Sequence, residues 1–486
     1  MSLHANLSPE ALERLHAQRR NSTISSVVIA VLVVVLIGLI LGIFLLPSLV
    51  KETPTIVTYE SSLSENTELE EKKVNTSVDR KPSSPSSSMA KVITANTASP
   101  TAVPVPDVDV TTPSMNFGNG DDFGTGWGNG DGDGNGGGGF GGVPASMKKR
   151  CSKQDRLDRL QSTGGTPQCE DAVVKALDWL KANQSADGSW TGSNQTAMTG
   201  LALLAYLGHC ETPLSERYGD TVLRAITYLV NVGMKTDGKL STNPVGNHWP
   251  YEHGIATYAL AEASTFCKQG KINIPNLFDV TQKSGQLIIQ NQNQNGGWAY
   301  NYDISAGHTD MSVVGWQIQA LKACHHTGLK FEGMTQCISK GLNYVTGCQD
   351  ASGAFGYAGP GSGERDGYFP LTGVGVLCLQ MWDKGSTSTA RKGAGYISDK
   401  TQFVYKDKSA DLYCHYYQAQ AMMNRGGAEW KKYNGMFRDE LLKSQSPDGS
   451  WPTPGGGSAM NPHYQTCLAT LMLEVYYRFL PGTGSK

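Results

Sequence analysis

The feature that most constrains this chain is a short phrase that occurs four times. Each copy reads Gln-x-x-x-Gly-x-aromatic, and the copies lie at residues 184–190, 292–298, 349–355 and 445–451. Each follows one helical pattern and precedes another, so the phrase predicts a helix-to-helix elbow. A glycine at positive φ ends a helix, and the aromatic side chain can fold back and bury about 150 to 250 Å². Four copies in register indicate an internal repeat, the strongest single indicator of fold.

Two kinds of helical pattern alternate along the last two-thirds of the chain. Segments with one apolar and one charged face are typical of outer helices. They cover residues 170–183, 218–232, 275–290, 334–346, 389–397 and 430–444. Segments that are apolar or small on every side are typical of buried helices. They cover residues 196–207, 253–266, 311–324, 370–382, 412–423 and 464–480.

This alternation predicts an all-α fold of six helical hairpins. Six parallel inner helices would form a ring, surrounded by six outer helices antiparallel to them. Two hairpins lack a clear copy of the phrase, and we expect degenerate elbows there, near Thr236 and Lys400.

The repeated phrase, its place between alternating helices and the count of six hairpins resemble the prenyltransferase and squalene-cyclase repeat superfamily. The resemblance covers the domain that we place at residues 166–482. It implies an α/α toroid, as in terpenoid cyclases and protein prenyltransferases. It does not imply one reaction, because a fold hosts many functions.

The segment before this domain has a different composition. Residues 1–23 are polar and carry Arg14, Arg19 and Arg20, whereas residues 24–50 contain an apolar run long enough to cross a bilayer. The basic N-terminus predicts a single-pass span of the cytoplasmic (inner) membrane, with the C-terminal domain periplasmic or otherwise extracytoplasmic. A cleaved signal peptide is the alternative. Residues 51–165, rich in Ser, Thr and Pro and then in Gly, are expected to form a disordered linker.

The chemistry that the resemblance implies must be sought at matching residues. Hopene-type cyclases use an Asp-x-Asp-Asp motif, and the nearest match, residues 107–110, lacks the last Asp and lies in the linker. Prenyltransferases bind zinc through an Asp, a Cys and a His, and the Cys and His positions fall here on Tyr413 and Gln465. Their neighbours Cys414, His463 and Cys467 are the alternative zinc ligands. A zinc site needs three or four such donors to converge.

Parallel inner helices would bring polar residues together at one end of the toroid. Carboxylates there are candidate catalytic groups: Glu252, Asp310, Asp366 and Asp411. Candidate ligand-binding residues are His253, His308, Tyr368, His415, His463 and Gln465. The alternative for each single acid is a helix cap.

Two classes of function remain open. The first is a membrane-tethered binding module that takes an unidentified ligand or protein at this end, without the catalytic motifs of the superfamily. The second is an enzyme at the same place, with terpenoid or prenyl chemistry or as a carbohydrate-active hydrolase or lyase. The net charge of -2 gives no reason to expect a nucleic-acid partner.

Ten cysteines lie in the last two-thirds of the chain. An even number outside the cytoplasm permits disulfides. Sequence proximity suggests Cys151 with Cys169, and Cys324 with Cys337 or Cys348. Buried free thiols are the alternative.

Overall fold

The structure is a computed structural model that describes residues 150–190, 194–457 and 461–478. Over these ranges the chain forms thirteen α-helices and no β-strand. The helices are α1 (Lys153–Thr163), α2 (Pro167–Ala182), α3 (Gln195–Gly208), α4 (Gly219–Lys235), α5 (Trp249–Gln269), α6 (Leu277–Gln290), α7 (Met311–His326), α8 (Met334–Gly347), α9 (Thr372–Met381), α10 (Ser388–Lys400), α11 (Leu412–Arg425), α12 (Gly427–Lys443) and α13 (Pro462–Leu473).

The apolar helices form a closed inner ring. Helices α3, α5, α7, α9, α11 and α13 each pack against the next, and α13 packs against α3. They are buried on every side; in α3, for example, all residues from Thr196 to Gly208 are buried. The amphipathic helices α2, α4, α6, α8, α10 and α12 pack outside this ring. The predicted alternation of inner and outer helices is confirmed, and the arrangement is a toroid.

The aromatic residue of each elbow packs under the end of its outer helix. Trp190, Trp298 and Trp451 are fully buried. Each donates its indole N–H to the carbonyl ten residues earlier, at 2.9, 2.8 and 2.9 Å. These bonds give an additional donor to carbonyls of the last helical turn, where the regular intrahelical donors run out. Phe355, the fourth aromatic, is also fully buried.

The glutamine of each elbow joins neighbouring hairpins. Gln184, for example, donates to the Gly188 carbonyl at 2.9 Å and to the Thr221 carbonyl, in α4, at 3.0 Å. The glutamines at 292, 349 and 445 make the same pair of bonds. Each glutamine therefore links its own elbow to the next outer helix.

The two degenerate elbows use a histidine. Where the other elbows have an aromatic residue, the second has the buried Leu240, whose N–H donates to His253 Nδ1 at 2.9 Å. In the fifth elbow the buried Phe403 packs edge-on against His415, with ring centroids 4.5 Å apart. In elbows one, four and six a threonine hydroxyl of the inner helix accepts the equivalent N–H.

The start of the toroid differs from the sequence-based expectation. The predicted linker runs to residue 165, whereas α1 already occupies Lys153–Thr163 and Arg150 is buried. Cys151 forms a disulfide with Cys210, with Cα atoms 4.9 Å apart, and not with Cys169. Cys169, Cys324, Cys337 and Cys348 are buried free thiols, so the suggested pairs are wrong. Sequence separation misleads here because the bond links α1 to the far end of α3.

The predictions for the N-terminal part of the chain concern residues that the structure does not describe. Every helix named above belongs to one compact unit of the chain. None of these helices is long and apolar enough to span a membrane. The predicted span at 24–50, the segment 1–23 and most of the predicted linker lie outside the described residues.

Candidate functional site at the toroid mouth

The six inner helices begin at the same end of the toroid. The Tyr251 hydroxyl, in the first turn of α5, shares a 2.6 Å hydrogen bond with the Ser312 hydroxyl in the first turn of α7. The Tyr413 hydroxyl, in the first turn of α11, donates to the Ser312 carbonyl at 2.8 Å. We call this end the mouth and the opposite end the base. The mouth consists of the described residues of six loops, at 183–190 with 194, 236–248, 291–310, 348–371, 401–411, and 444–457 with 461.

Asp310 lies in a cluster of polar side chains at the mouth. It is 1% exposed and caps α7 by accepting the Ser312 N–H at 2.7 Å. The Tyr251 hydroxyl donates to the same carboxylate at 3.3 Å. The Tyr300 and Tyr357 hydroxyls share a 2.8 Å bond beside it. Burial and the Asp310 carboxylate both raise the pKa of Tyr251 and of Tyr300, so these phenols are protonated donors at neutral pH.

The other candidate acids occupy different environments. Asp411 caps α11 by accepting the Tyr413 N–H at 3.0 Å, and burial raises its pKa. Glu252 is buried, and although Thr196 and Ser241 donate to it, burial raises its pKa on balance. Asp366 is exposed in the loop before α9, whose first residue is Thr372. The alternative that it caps this helix is therefore wrong, since the N-cap is Leu371. The caps confirm a structural role for Asp310 and Asp411, while their functional role stays a prediction.

His253 and His415 are engaged in the degenerate elbows. His253 is fully buried, accepts the Leu240 N–H at Nδ1 and donates from Nε2 to the Ser284 carbonyl at 3.0 Å. His415 donates from Nε2 to the Ser409 carbonyl at 2.8 Å and accepts the Tyr433 hydroxyl at Nδ1. Burial lowers the pKa of each imidazole to about 4. Neither ring has a nitrogen left for a ligand, and we leave both out of the candidate site.

The remaining ligand-binding candidates are spread over the mouth. His308 is exposed in the loop before α7. His463 is half-buried at the start of α13, with its ring 5.1 Å from that of Trp179. Tyr368 is half-buried and shares a 2.6 Å hydrogen bond with Thr401, while Gln465 is buried within α13. These positions are too varied in exposure for all four side chains to contact one ligand.

The three candidate zinc ligands do not form a site. Over the ranges that the structure covers, no group of three or more His, Cys, Asp and Glu side chains is arranged to hold a metal ion. Cys414 and Cys467 are buried, and burial raises the pKa of both thiols. The Gln418 amide also donates to the Cys414 sulfur at 3.0 Å. Zinc binds cysteine as the thiolate, and among the described residues these side chains do not converge on one point.

Aromatic side chains fill the axis of the ring below the mouth. Trp316 of α7 stacks on Tyr416 of α11, with centroids 5.3 Å apart, and Tyr417 packs edge-on against Trp316 at 5.6 Å. Helices α7 and α11 are separated in the ring by α9, so their side chains meet on the inner side of the ring. All three residues are at most 1% exposed. These aromatic rings therefore pack against one another.

A buried charge cluster, which sequence analysis missed, closes the axis towards the base. Glu262 of α5 accepts from Arg150 at 2.7 Å and from Arg478 at 3.1 Å. Burial alone would raise the pKa of Glu262, but the two guanidinium groups lower it on balance. Glu474 is buried nearby, and burial raises its pKa. Because Arg150 precedes α1 and Arg478 follows α13, no local pattern could have indicated this cluster.

Comparison with known proteins supports the fold and leaves the function open. No protein-family profile matches the chain. A probable squalene–hopene cyclase from Sinorhizobium fredii (strain NBRC 101917 / NGR234) is 22% identical over 218 residues, which cover 40% of this chain and 32% of the cyclase. The chain thus matches about a third of the length of that relative.

Two solved structures share a broad likeness with the chain. The GH76A alpha-1,6-mannanase from Salegentibacter sp. HEL1_6 is 10% identical, with a TM-score of 0.48 over 63% of this chain and 98% of the mannanase. The type II terpene cyclase MstE from Scytonema is 12% identical, with a TM-score of 0.42 over 64% of this chain and 98% of the cyclase. At these values neither likeness bears on activity. Because of its repeated elbows and its sequence match, the helical domain is an α/α toroid that resembles terpenoid cyclases and prenyltransferases.

Proposed function

We propose that the toroid is a binding module that takes its ligand at the mouth. The observation that supports this most directly is the filled axis. A cyclase that folds a long isoprenoid needs an aromatic-lined chamber to hold the chain and stabilise carbocations. Here Trp316, Tyr416 and Tyr417 occupy that place by contacting one another, and below them Arg478 contacts Tyr258 and Glu262. A ligand therefore meets a packed floor below the mouth.

The mouth has the composition of a binding surface. Tyr251, Tyr300, Tyr357 and Tyr413 are half-buried there. Tyrosine offers a large rigid apolar face together with a polar tip, which makes it frequent at interfaces. An enzyme that uses Asp310 or Asp411 at the same place is the second candidate. It is less favoured because both carboxylates already accept backbone N–H groups as caps.

We also propose that the module is tethered outside the cytoplasm by the apolar run at 24–50. The Cys151–Cys210 disulfide supports this, since structural disulfides persist in oxidising compartments. Protease added to cells whose outer layer is permeabilised should release a fragment that contains the toroid. Protection of that fragment, with digestion of the N-terminus, would contradict the orientation.

The binding role can be tested on the full-length protein in detergent. Peptides, neutral oligosaccharides and isoprenoids are tested for their effect on the melting temperature. A ligand of the mouth should raise it in the wild type and not in the double variant Tyr300→Ala/Tyr357→Ala. The base-loop variant Leu214→Ser, changed at an exposed residue, should respond as the wild type does. Conversion of squalene to a cyclised product would refute the binding module and favour the enzyme.

A further inference from the structure

The mouth carries exposed aliphatic side chains in three of its loops. Val245 is 85% exposed in the loop before α5, Ile304 is 50% exposed before α7, and Val404 is 49% exposed before α11. All three loops lead to inner helices, so the three side chains belong to the same end of the toroid. Half-buried tyrosines lie near the same loops: Tyr251 and Tyr413 in the first turns of α5 and α11, and Tyr300 in the loop before α7. Apolar side chains exposed beside tyrosines mark an interaction surface.

The charge of the same loops is strongly asymmetric. The six mouth loops contain ten acidic residues: Asp187, Asp237, Asp303, Asp310, Asp350, Glu364, Asp366, Asp407, Asp411 and Asp448. They contain four basic residues: Lys239, Arg365, Lys406 and Lys408. Two of these bases lie 3.7 Å from acids of the same surface, Arg365 from Asp411 and Lys408 from Asp366. The mouth therefore carries a marked excess of negative charge.

The loops of the base carry equal numbers of acidic and basic residues. Its loops at 209–218, 270–276, 327–333 and 382–387 contain four acids and four bases. The acids are Glu211, Glu216, Glu332 and Asp383, and the bases are Arg217, Lys271, Lys330 and Lys384. The excess of acidic residues is thus a property of the mouth. It does not reflect the charge of the whole chain, which is only -2.

Hydrogen bonds favour the ionised form of two of these acidic side chains. Bonds from the Ser305 hydroxyl and N–H lower the pKa of Asp303, and the equivalent bonds from Ser450 lower the pKa of Asp448. Both carboxylates are exposed. They contribute to a field around the mouth that extends over about a Debye length, roughly 8 Å at physiological salt, and that attracts cationic partners.

We infer that the mouth docks a basic polypeptide segment of a partner protein, in which Lys or Arg residues alternate with apolar ones. This inference rests on the binding role proposed above and adds the class of partner. Its cations meet the acidic loops and the faces of the half-buried tyrosines, which attract ammonium and guanidinium groups. Its apolar residues cover Val245, Ile304 and Val404. An anionic membrane surface or a nucleic acid is disfavoured, because either would be repelled by the same acids.

The test uses the full-length protein in detergent and two fluorescein-labelled peptides of equal length. One alternates Lys or Arg with Leu or Val, and in the other Glu replaces every basic residue. Fluorescence anisotropy should show binding of the basic peptide alone. Raising the salt from about 50 to 500 mM should weaken that binding, because exposed charges are screened.

Variants test whether the basic peptide binds at the mouth and not elsewhere on the protein. Ile304→Ser/Val404→Ser should weaken binding about tenfold through lost apolar contact. Asp303→Asn/Asp407→Asn should weaken it most at low salt and reduce the salt dependence. The base-loop variant Leu214→Ser/Glu216→Gln should bind as the wild type does. All these residues are exposed, and an unchanged melting temperature checks that each variant is folded.

Two outcomes would overturn the inference: equal binding of the two peptides, or unchanged binding by both mouth variants. These results are distinguishable from failure of the binding role itself. A neutral oligosaccharide whose thermal shift requires Tyr300 and Tyr357 would keep the binding role and reject the basic partner. A cyclised isoprenoid product would reject both.

Discussion

The side-chain amide of Gln445 donates a 2.8 Å hydrogen bond to the Ala172 carbonyl, 273 residues earlier in the chain. Gln445 follows the last outer helix and Ala172 lies in the first, so this bond closes the outer ring. The same nitrogen donates to the Gly449 carbonyl at 3.0 Å. The elbow phrase is thus a connector between successive hairpins, and its last copy joins the two ends of the toroid.

Replacing Gln445 by Met should lower the free energy of unfolding by about 1–3 kcal/mol. The substitution keeps the length of the side chain but leaves two part-buried carbonyls without their donor. The control is Gln282→Met, on an exposed site of α6, where an effect within about 0.5 kcal/mol is expected. Urea unfolding followed by circular dichroism measures both. Equal effects would show that the ring-closing bond contributes nothing of its own.

Trp451→Ala should lower the free energy of unfolding by about 3–5 kcal/mol, as expected for removal of a fully buried large aromatic. Trp451→Phe should lower it less, by about 1 kcal/mol for the lost hydrogen bond to the Leu441 carbonyl. Phe355 fills the equivalent place in the fourth elbow, which supports the milder effect. An unchanged melting temperature in the alanine variant would mean that the elbow is not packed.

Gly449→Ala should destabilise the protein by more than the roughly 1–2 kcal/mol that a left-handed conformation alone costs an L-residue. Gly449 has φ +95°, and an added Cβ would lie 2.3 Å from the Lys175 carbonyl oxygen. The matched control is Gly435→Ala, inside α12, where a Cβ meets nothing within 4 Å. That change should stabilise the protein by up to about 1 kcal/mol. Thermal unfolding of the two variants should therefore shift in opposite directions.

Stability should fall as the pH drops from about 6.5 to 4. His253 has its pKa lowered to about 4 by burial, whereas in the unfolded chain it is about 6.5. Between pH 6.5 and pH 4 the unfolded state binds more protons than the folded state. The free energy of unfolding therefore falls by about 3 kcal/mol by pH 4. His415 has the same shift and adds a similar amount.

The pH prediction is checked by urea unfolding at pH 7 and pH 4.5. His253→Gln should be less stable at pH 7 and should lose part of the pH dependence. His308→Gln should keep it in full, because His308 is exposed. If the wild type and His253→Gln lose stability equally on acidification, the buried histidine is not the cause.

Local patterns were enough to predict the repeat architecture. The alternation of amphipathic and apolar helices follows from a period of 3.6 residues, and the elbow follows from a glycine at positive φ followed by an aromatic residue. Helix starts were less well predicted. Helix α5 begins at Trp249 and not at His253, because Pro250 fits the first turn of a helix. Asp366 was a candidate helix cap, but the helix after it begins only at Thr372, six residues later.

By itself, the sequence determined that this chain forms six helical hairpins with polar residues where the inner helices begin, because hydrophobic periodicity and turn chemistry are local. Only the tertiary structure decided which of those residues are exposed at the mouth and which, like His253 and His415, are buried in elbows. It alone paired Cys151 with Cys210, joined Arg150 and Arg478 to Glu262, and packed Trp316, Tyr416 and Tyr417 together inside the ring. These contacts join residues that only closure of the ring brings together, and no pattern within a helix records them.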